Sequence, residues 1–188
     1  MQDEVEVEVD AKESAGANAL LLLRDIAIAV GVIILVLQFV KPTIVFEHSM
    51  DDTLHPEDYV FLAKQAYTFG PINYGDIIVF QSTLPDDKGG YKNLIKRVIG
   101  LPGDVLAVKD DAVYRNGERL IEPYVKDKVT LGTMDPVTVP DGSIFVMGDN
   151  RQVSTDSRSS LVGFVPENKI DGKVFFRLFP ISRIGRIY

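Results

Sequence analysis

Val105-Leu106-Ala107-Val108, Ala112-Val113-Tyr114-Arg115, Asn116-Gly117 and Arg119-Leu120-Ile121 together decide the fold. Three short runs rich in Val, Leu and Tyr, broken by Asp, Asn and Gly, are too brief for helices and suit strands. Asn116-Gly117 between the last two marks a tight hairpin, because that turn needs positive φ at both central residues. Working outward, similar runs occur at 59–63, 76–80, 95–99, 143–147 and 173–178. No helical periodicity of useful length follows Val40, so 41–188 reads as an all-β domain. Residues 81–93, with Pro85-Asp86-Asp87-Lys88-Gly89-Gly90, read as an exposed loop.

Before the β domain lies a different kind of chain. Residues 20–40 are apolar except for Arg24, Asp25 and Gln38, and a run of about 20 apolar residues is what a bilayer-spanning helix requires. Residues 1–19 are acidic and then small and polar, the composition of a disordered tail. A cleaved signal peptide fits poorly, since the tail is not basic and no small-x-small site follows Val40. Lys12 and Arg24 before the span outnumber Lys41 after it, which favours a cytoplasmic N-terminus and a single-pass topology.

Composition removes several classes of function. The 188 residues carry a net charge of −7, most of it in the tail, and the near-neutral body has no basic stripe for nucleic acid. There is no cysteine, hence no disulfide, no thiol catalysis and no cysteine-rich zinc site. Asp51, Asp52, Glu57 and Asp58 lack the spacing of a zinc or calcium site and read as a solvated turn. Neither a metal nor a cofactor is expected.

Ser49 lies just beyond the span, and His48 and His55 are the chain's two histidines. In an extended segment neighbouring side chains face opposite ways, so His48 is poorly placed to take the Ser49 proton. His55, before Pro56, suits a surface turn. Lys96 opens the run Lys96-Arg97-Val98-Ile99-Gly100-Leu101-Pro102-Gly103-Asp104 and is flanked by Leu94-Ile95 and Val98-Ile99. A lysine serves as a base near neutral pH only when burial disfavours its ammonium form, and these neighbours offer such a pocket. Arg97 is expected to point to the other face. The turn Gly148-Asp149-Asn150-Arg151-Gln152-Val153-Ser154-Thr155-Asp156-Ser157-Arg158 gathers the charged and hydroxyl groups that can orient a neutral lysine.

Ser49-Met50 followed by Thr53-Leu54, then Tyr74-Gly75-Asp76-Ile77-Ile78-Val79-Phe80, the Lys96 run and the Gly148–Arg158 loop resemble, in order, the motifs of bacterial type I signal peptidases. The resemblance implies a catalytic domain of short, strongly bent antiparallel sheets, and a membrane-anchored serine endopeptidase with a Ser/Lys dyad, which removes signal peptides from exported preproteins on the extracytoplasmic face of the cell membrane. It further implies Ser49 as nucleophile, Lys96 as general base, Ser154 as hydrogen-bond partner of the lysine, and an Asp156–Arg158 ion pair. Asp149 and Arg151 would brace the same loop, and Met50 would line the substrate cleft. The Ser49 backbone N–H would donate to the oxyanion. Three positions depart from the family pattern: Asp52 stands at a usual proline, Glu47 where serine or glycine is found, and Leu94 at a frequent tyrosine.

The substrate such an enzyme takes has small residues at the first and third positions before the cut. It would bind extended against a strand edge, and the segments 44–46 and 59–61 are the candidate walls. The expected partners are signal peptides and the lipid bilayer, with the enzyme a monomer. Two alternatives remain: a self-cleaving repressor, which also uses Ser and Lys but needs an N-terminal DNA-binding domain, and an inactive membrane-anchored homologue acting as a binding protein.

Overall fold

The computed structural model describes residues 2–188, with side chains described at Asn18 and from Leu20 onward. The chain divides into two compact units between Phe39 and Val40. The first is one helix, α1 (Gln2–Phe39). Its portion Leu20–Phe39 has a mean hydropathy of 2.7 over 20 residues and is unburied throughout, so it is long and apolar enough to cross a bilayer. Arg24 and Asp25 pair with each other at its exposed start, 2.9 Å apart. The expectation of a disordered tail over 1–19 falls almost wholly outside the residues whose side chains are described.

The second unit is built from twelve strands: β1 (Val40–Ile44), β2 (Tyr59–Ala63), β3 (Ile77–Pro85), β4 (Tyr91–Gly100), β5 (Val105–Lys109), β6 (Ala112–Arg115), β7 (Glu118–Arg119), β8 (Met134–Thr138), β9 (Ser143–Met147), β10 (Val165–Pro166), β11 (Ile170–Phe179) and β12 (Gly185–Arg186). They form two antiparallel sheets, one in the order β1-β2-β11-β3-β4-β9-β10 with β12 beside β11, the other in the order β7-β6-β5-β8. Register shifts in β11 between Val174 and Phe176 and between Arg177 and Phe179, and in β4 between Val98 and Gly100, bend the larger sheet. At Gly100 an added Cβ would meet the Leu106 side chain at 2.5 Å, so this bend needs glycine to pack one sheet on the other.

The hairpin that fixed the fold class is present, with Asn116 and Gly117 both at positive φ. Its last strand is shorter than expected and ends at Arg119, leaving Ile121 93% exposed. The segment 81–93 is not a loop. Gln81 pairs with Asn93 and Pro85 with Tyr91, so β3 and β4 run on into a long hairpin. Only 86–90 turns, tied by Asp86 Oδ1 accepting the backbone N–H groups of Lys88 and Gly90 at 2.8 and 2.7 Å.

Three apolar clusters form the core. One, around Val45, Met50, Leu54 and Val79, underlies the segment after β1. A second gathers Ile78, Phe80, Leu94 and Val98. The third joins the sheets through Ile99, Leu106 and Phe145. β4 runs through all of this, which puts its central residues out of reach of water.

Candidate active site

Ser49 sits in a one-turn 3-10 helix, His48–Met50, directly after the β1 segment. Lys96 projects from the middle of β4. Lys96 Nζ lies 2.6 Å from Ser49 Oγ, and the two residues are 1% and 6% exposed. Burial pushes the lysine pKa down from its ordinary value; the nearby carboxylates of Glu47, Asp156 and Asp149 pull the other way without reversing it. The pair therefore combines a hydroxyl with a lysine whose ammonium form is disfavoured, the arrangement that lets an amine accept a hydroxyl proton.

Neither histidine competes for that role. His48 Nδ1 lies 3.0 Å from Asp51 Oδ2 and the ring is mostly exposed. His55 Nδ1 contacts the Arg183 guanidinium instead.

The loop after β9 reaches under the serine. Asn150 N donates to Ser49 O at 3.0 Å, and Asn150 Nδ2 donates to His48 O at 3.1 Å. A Cβ on Gly148 would stand 2.4 Å from Ser49 O and 2.3 Å from Ser154 Oγ, so only glycine permits the approach. Gly148 N donates to Asp156 Oδ2 at 3.0 Å, and Arg158 grips Asp156 side-on through Nε and Nη2 at 2.8 and 2.9 Å. The expected Asp156–Arg158 pair is thus present. Ser154 is close by, but the hydrogen bond expected between it and Lys96 is absent: its buried Oγ has no partner.

Asp149 and Arg151 brace the loop through partners that sequence reading missed. Asp149 takes two hydrogen bonds from Arg97, at 2.9 and 2.7 Å, and one from Thr53 Oγ1 at 2.5 Å. Arg97 does diverge from Lys96, yet it is 2% exposed and stacks over Tyr124 at 4.0 Å. Arg151 is held by Glu122 at 2.9 and 2.6 Å and by Thr130 Oγ1 at 2.6 Å. Nothing local in the sequence marks Glu122 or Thr130, since both contacts span twenty or more residues.

The acidic turn read as solvated is half so: Asp52 and Glu57 are exposed, whereas Asp51 and Asp58 are buried. Asp58 is fully enclosed and pairs with Arg183 at 3.0 Å and Arg177 at 3.1 Å, while Asp51 is 7% exposed. Its cations lie on β11 and beyond, too far along the chain to be foreseen. Among the described residues, no group of His, Cys, Asp and Glu is arranged to hold a metal.

A cleft of about 470 Å³ opens at the serine. Ile44, Val45, Met50, Val79 and Ile95 make it apolar, so Met50 is both core and cleft lining. Of the two expected walls, 44–46 takes part and 59–61 does not, because β2 is enclosed between β1 and β11 and has no free edge. The opposite wall is β4 at Lys92, Asn93 and Ile95. β9 pairs with β4 only from Arg97 to Gly100, so the β4 edge beside the cleft is unpaired on that side.

The model of the family described as "Signal peptidase, peptidase S26" matches residues 19–179. "Signal peptidase I" of Bacillus licheniformis is 39% identical over 158 residues, covering 78% of this chain and 80% of that protein. "Signal peptidase I" of Bacillus caldolyticus is 42% identical over 161 residues, covering 78% and 84% respectively. A solved structure of a signal peptidase I from Enterococcus faecalis V583 is 33% identical, covers 55% of this chain and 97% of its own, and has a TM-score of 0.46.

Proposed function

The chain belongs to the peptidase S26 family of signal peptidases, and from that premise we propose that Ser49 is the nucleophile and Lys96 the general base with which it works. It is a serine endopeptidase that removes N-terminal signal peptides from preproteins. The inactive-homologue and repressor readings are not favoured. The observation that carries the assignment of the dyad is the 2.6 Å approach of a buried lysine amine to the serine hydroxyl.

The preprotein lies extended in the cleft between the chain after β1 and the unpaired β4 edge, held by main-chain hydrogen bonds. Its small side chains at the first and third positions before the cut fit the shallow apolar floor. Ser49 Oγ attacks the carbonyl carbon as Lys96 Nζ takes the hydroxyl proton. The Ser49 backbone N–H donates to the developing oxyanion, a contribution of several kcal/mol in comparable hydrolases. Glu47, as a carboxylate, offers no second donor. Lys96 returns the proton to the leaving amine, then removes one from a water that attacks the acyl-enzyme. Ser154, with its buried hydroxyl unpartnered, takes up the lysine ammonium during these transfers.

The apolar helix Leu20–Phe39 supports a membrane anchor. We assign the catalytic unit to the extracytoplasmic face, with a single pass and the N-terminus in the cytoplasm. Both dyad residues come from one chain, so a monomer suffices. Tethering raises the effective concentration of a substrate held in the same bilayer.

The test is cleavage of a preprotein by the full chain in detergent, with Ser49→Ala and Lys96→Met alongside. Loss of processing in both variants is the expected result. Processing that survives Lys96→Met would sink the dyad.

A further inference from the structure

Glu47 is the departure from the family pattern that the mechanism leaves without a role. It is exposed, lines the cleft beside Ser49, and caps the serine turn without a side-chain hydrogen bond. Its carboxylate makes no hydrogen bond or ion pair among the described residues. It is nevertheless close enough to Lys96 to be the largest of the charges acting on that amine. An exposed carboxylate without a hydrogen-bond partner at the rim of a peptide cleft also favours a cationic side chain beside it and disfavours an anionic one.

The substrate can supply that cation, an argument that rests on the peptidase reading above. A peptide bound extended alternates its side chains between the two faces. With the first and third residues before the cut turned into the apolar floor, the second points to the rim at the Ser49 end. Glu47 is the charged group there. Of the other charges lining the cleft, Lys41 stands at the start of β1, roughly 20 Å back along an extended chain at about 3.3 Å per residue, and Asp87 and Lys92 belong to the β3–β4 hairpin. We infer that Glu47 is a specificity-determining residue which receives a lysine or arginine side chain at the second position before the scissile bond.

The experiment measures kcat/KM for three peptides that differ only there, carrying Lys, Gln or Glu, with the full chain in detergent at low ionic strength. The wild type is expected to favour Lys over Glu by about three- to tenfold, the scale of an exposed ion pair set against an exposed repulsion. In Glu47→Gln the ratio should fall to about one, and Glu47→Asp should keep the wild-type order. High salt should compress the ratio in the wild type and leave that of Glu47→Gln unchanged. Taking ratios within one enzyme cancels any change in the basicity of Lys96. An equal ratio in wild type and Glu47→Gln overturns the inference and leaves the peptidase assignment intact. Failure of the wild type to cleave any of the three peptides overturns both.

Discussion

Lys96 and Ser49 meet at 2.6 Å, yet different kinds of structure hold them. Lys96 stands in the interior of a ten-residue strand, paired with Ile78 of β3 and one residue from where β9 joins the sheet. Ser49 stands in a three-residue turn that two hydrogen bonds from Asn150 fix from a hundred residues away. The lysine's setting is thus written in its own strand, whereas the serine's depends on a loop that must fold onto it. Damage on the lysine side should appear mainly in stability and pH response, and damage on the serine side mainly in rate.

Several substitutions can break or sharpen that contrast. The largest effect is expected for Arg97→Ala, which strands the enclosed Asp149 carboxylate and should cost about 3–5 kcal/mol. Denaturation of the full chain in detergent, followed by tyrosine fluorescence, measures it. Gly148→Ala forces the loop away from Ser49 O and Ser154, and should cost about 1–3 kcal/mol together with roughly a hundredfold in kcat. A Gly148→Ala enzyme with wild-type kcat would refute the dependence of the serine on this loop. Asn150→Ala removes the side-chain bond to His48 O and leaves the backbone N–H on Ser49 O; about 1 kcal/mol of stability and about tenfold in kcat should go. Loss of stability without loss of rate would reverse the contrast drawn here.

The subtlest effect is in pH. Burial lowers the Lys96 pKa from its ordinary 10.5, so between the lowered value and 10.5 the unfolded chain binds more protons than the folded one. Stability contributed by the neutral lysine is therefore present at alkaline pH and is lost as pH falls through that window. Lys96→Met should unfold at higher denaturant than the wild type at neutral pH, and the difference should shrink as pH rises toward 10.5. The acid limb of kcat/KM in the wild type should likewise lie below the ordinary lysine value.

Strands whose own residues alternate or β-branch, such as β2, β6 and β9, were legible from sequence. So was the Asn116-Gly117 turn. The elements that were not legible depend on partners. β1 contains Pro42 and β8 contains Asp135-Pro136, and both are edge strands that tolerate proline. The ends of β3 and β4 looked like loop because only their mutual pairing makes them strand. At the site, Ser49, Lys96 and the Asp156–Arg158 pair could be named from type and order. Arg97 to Asp149, Arg151 to Glu122 and Arg177 to Asp58 could not, since a buried ion pair between distant segments leaves no local periodicity.

The unpaired β4 edge facing β1 has a cost for the resting enzyme. A strand edge that can accept one extended peptide can accept others, including the edge of a second molecule, and that is how sheets begin to aggregate. Lys41, Lys92 and Asp87 around the opening act as gatekeepers in this sense. Charged side chains at the mouth would have to be desolvated for two folded copies to stack edge to edge, a cost that a single flexible tail threading between them avoids.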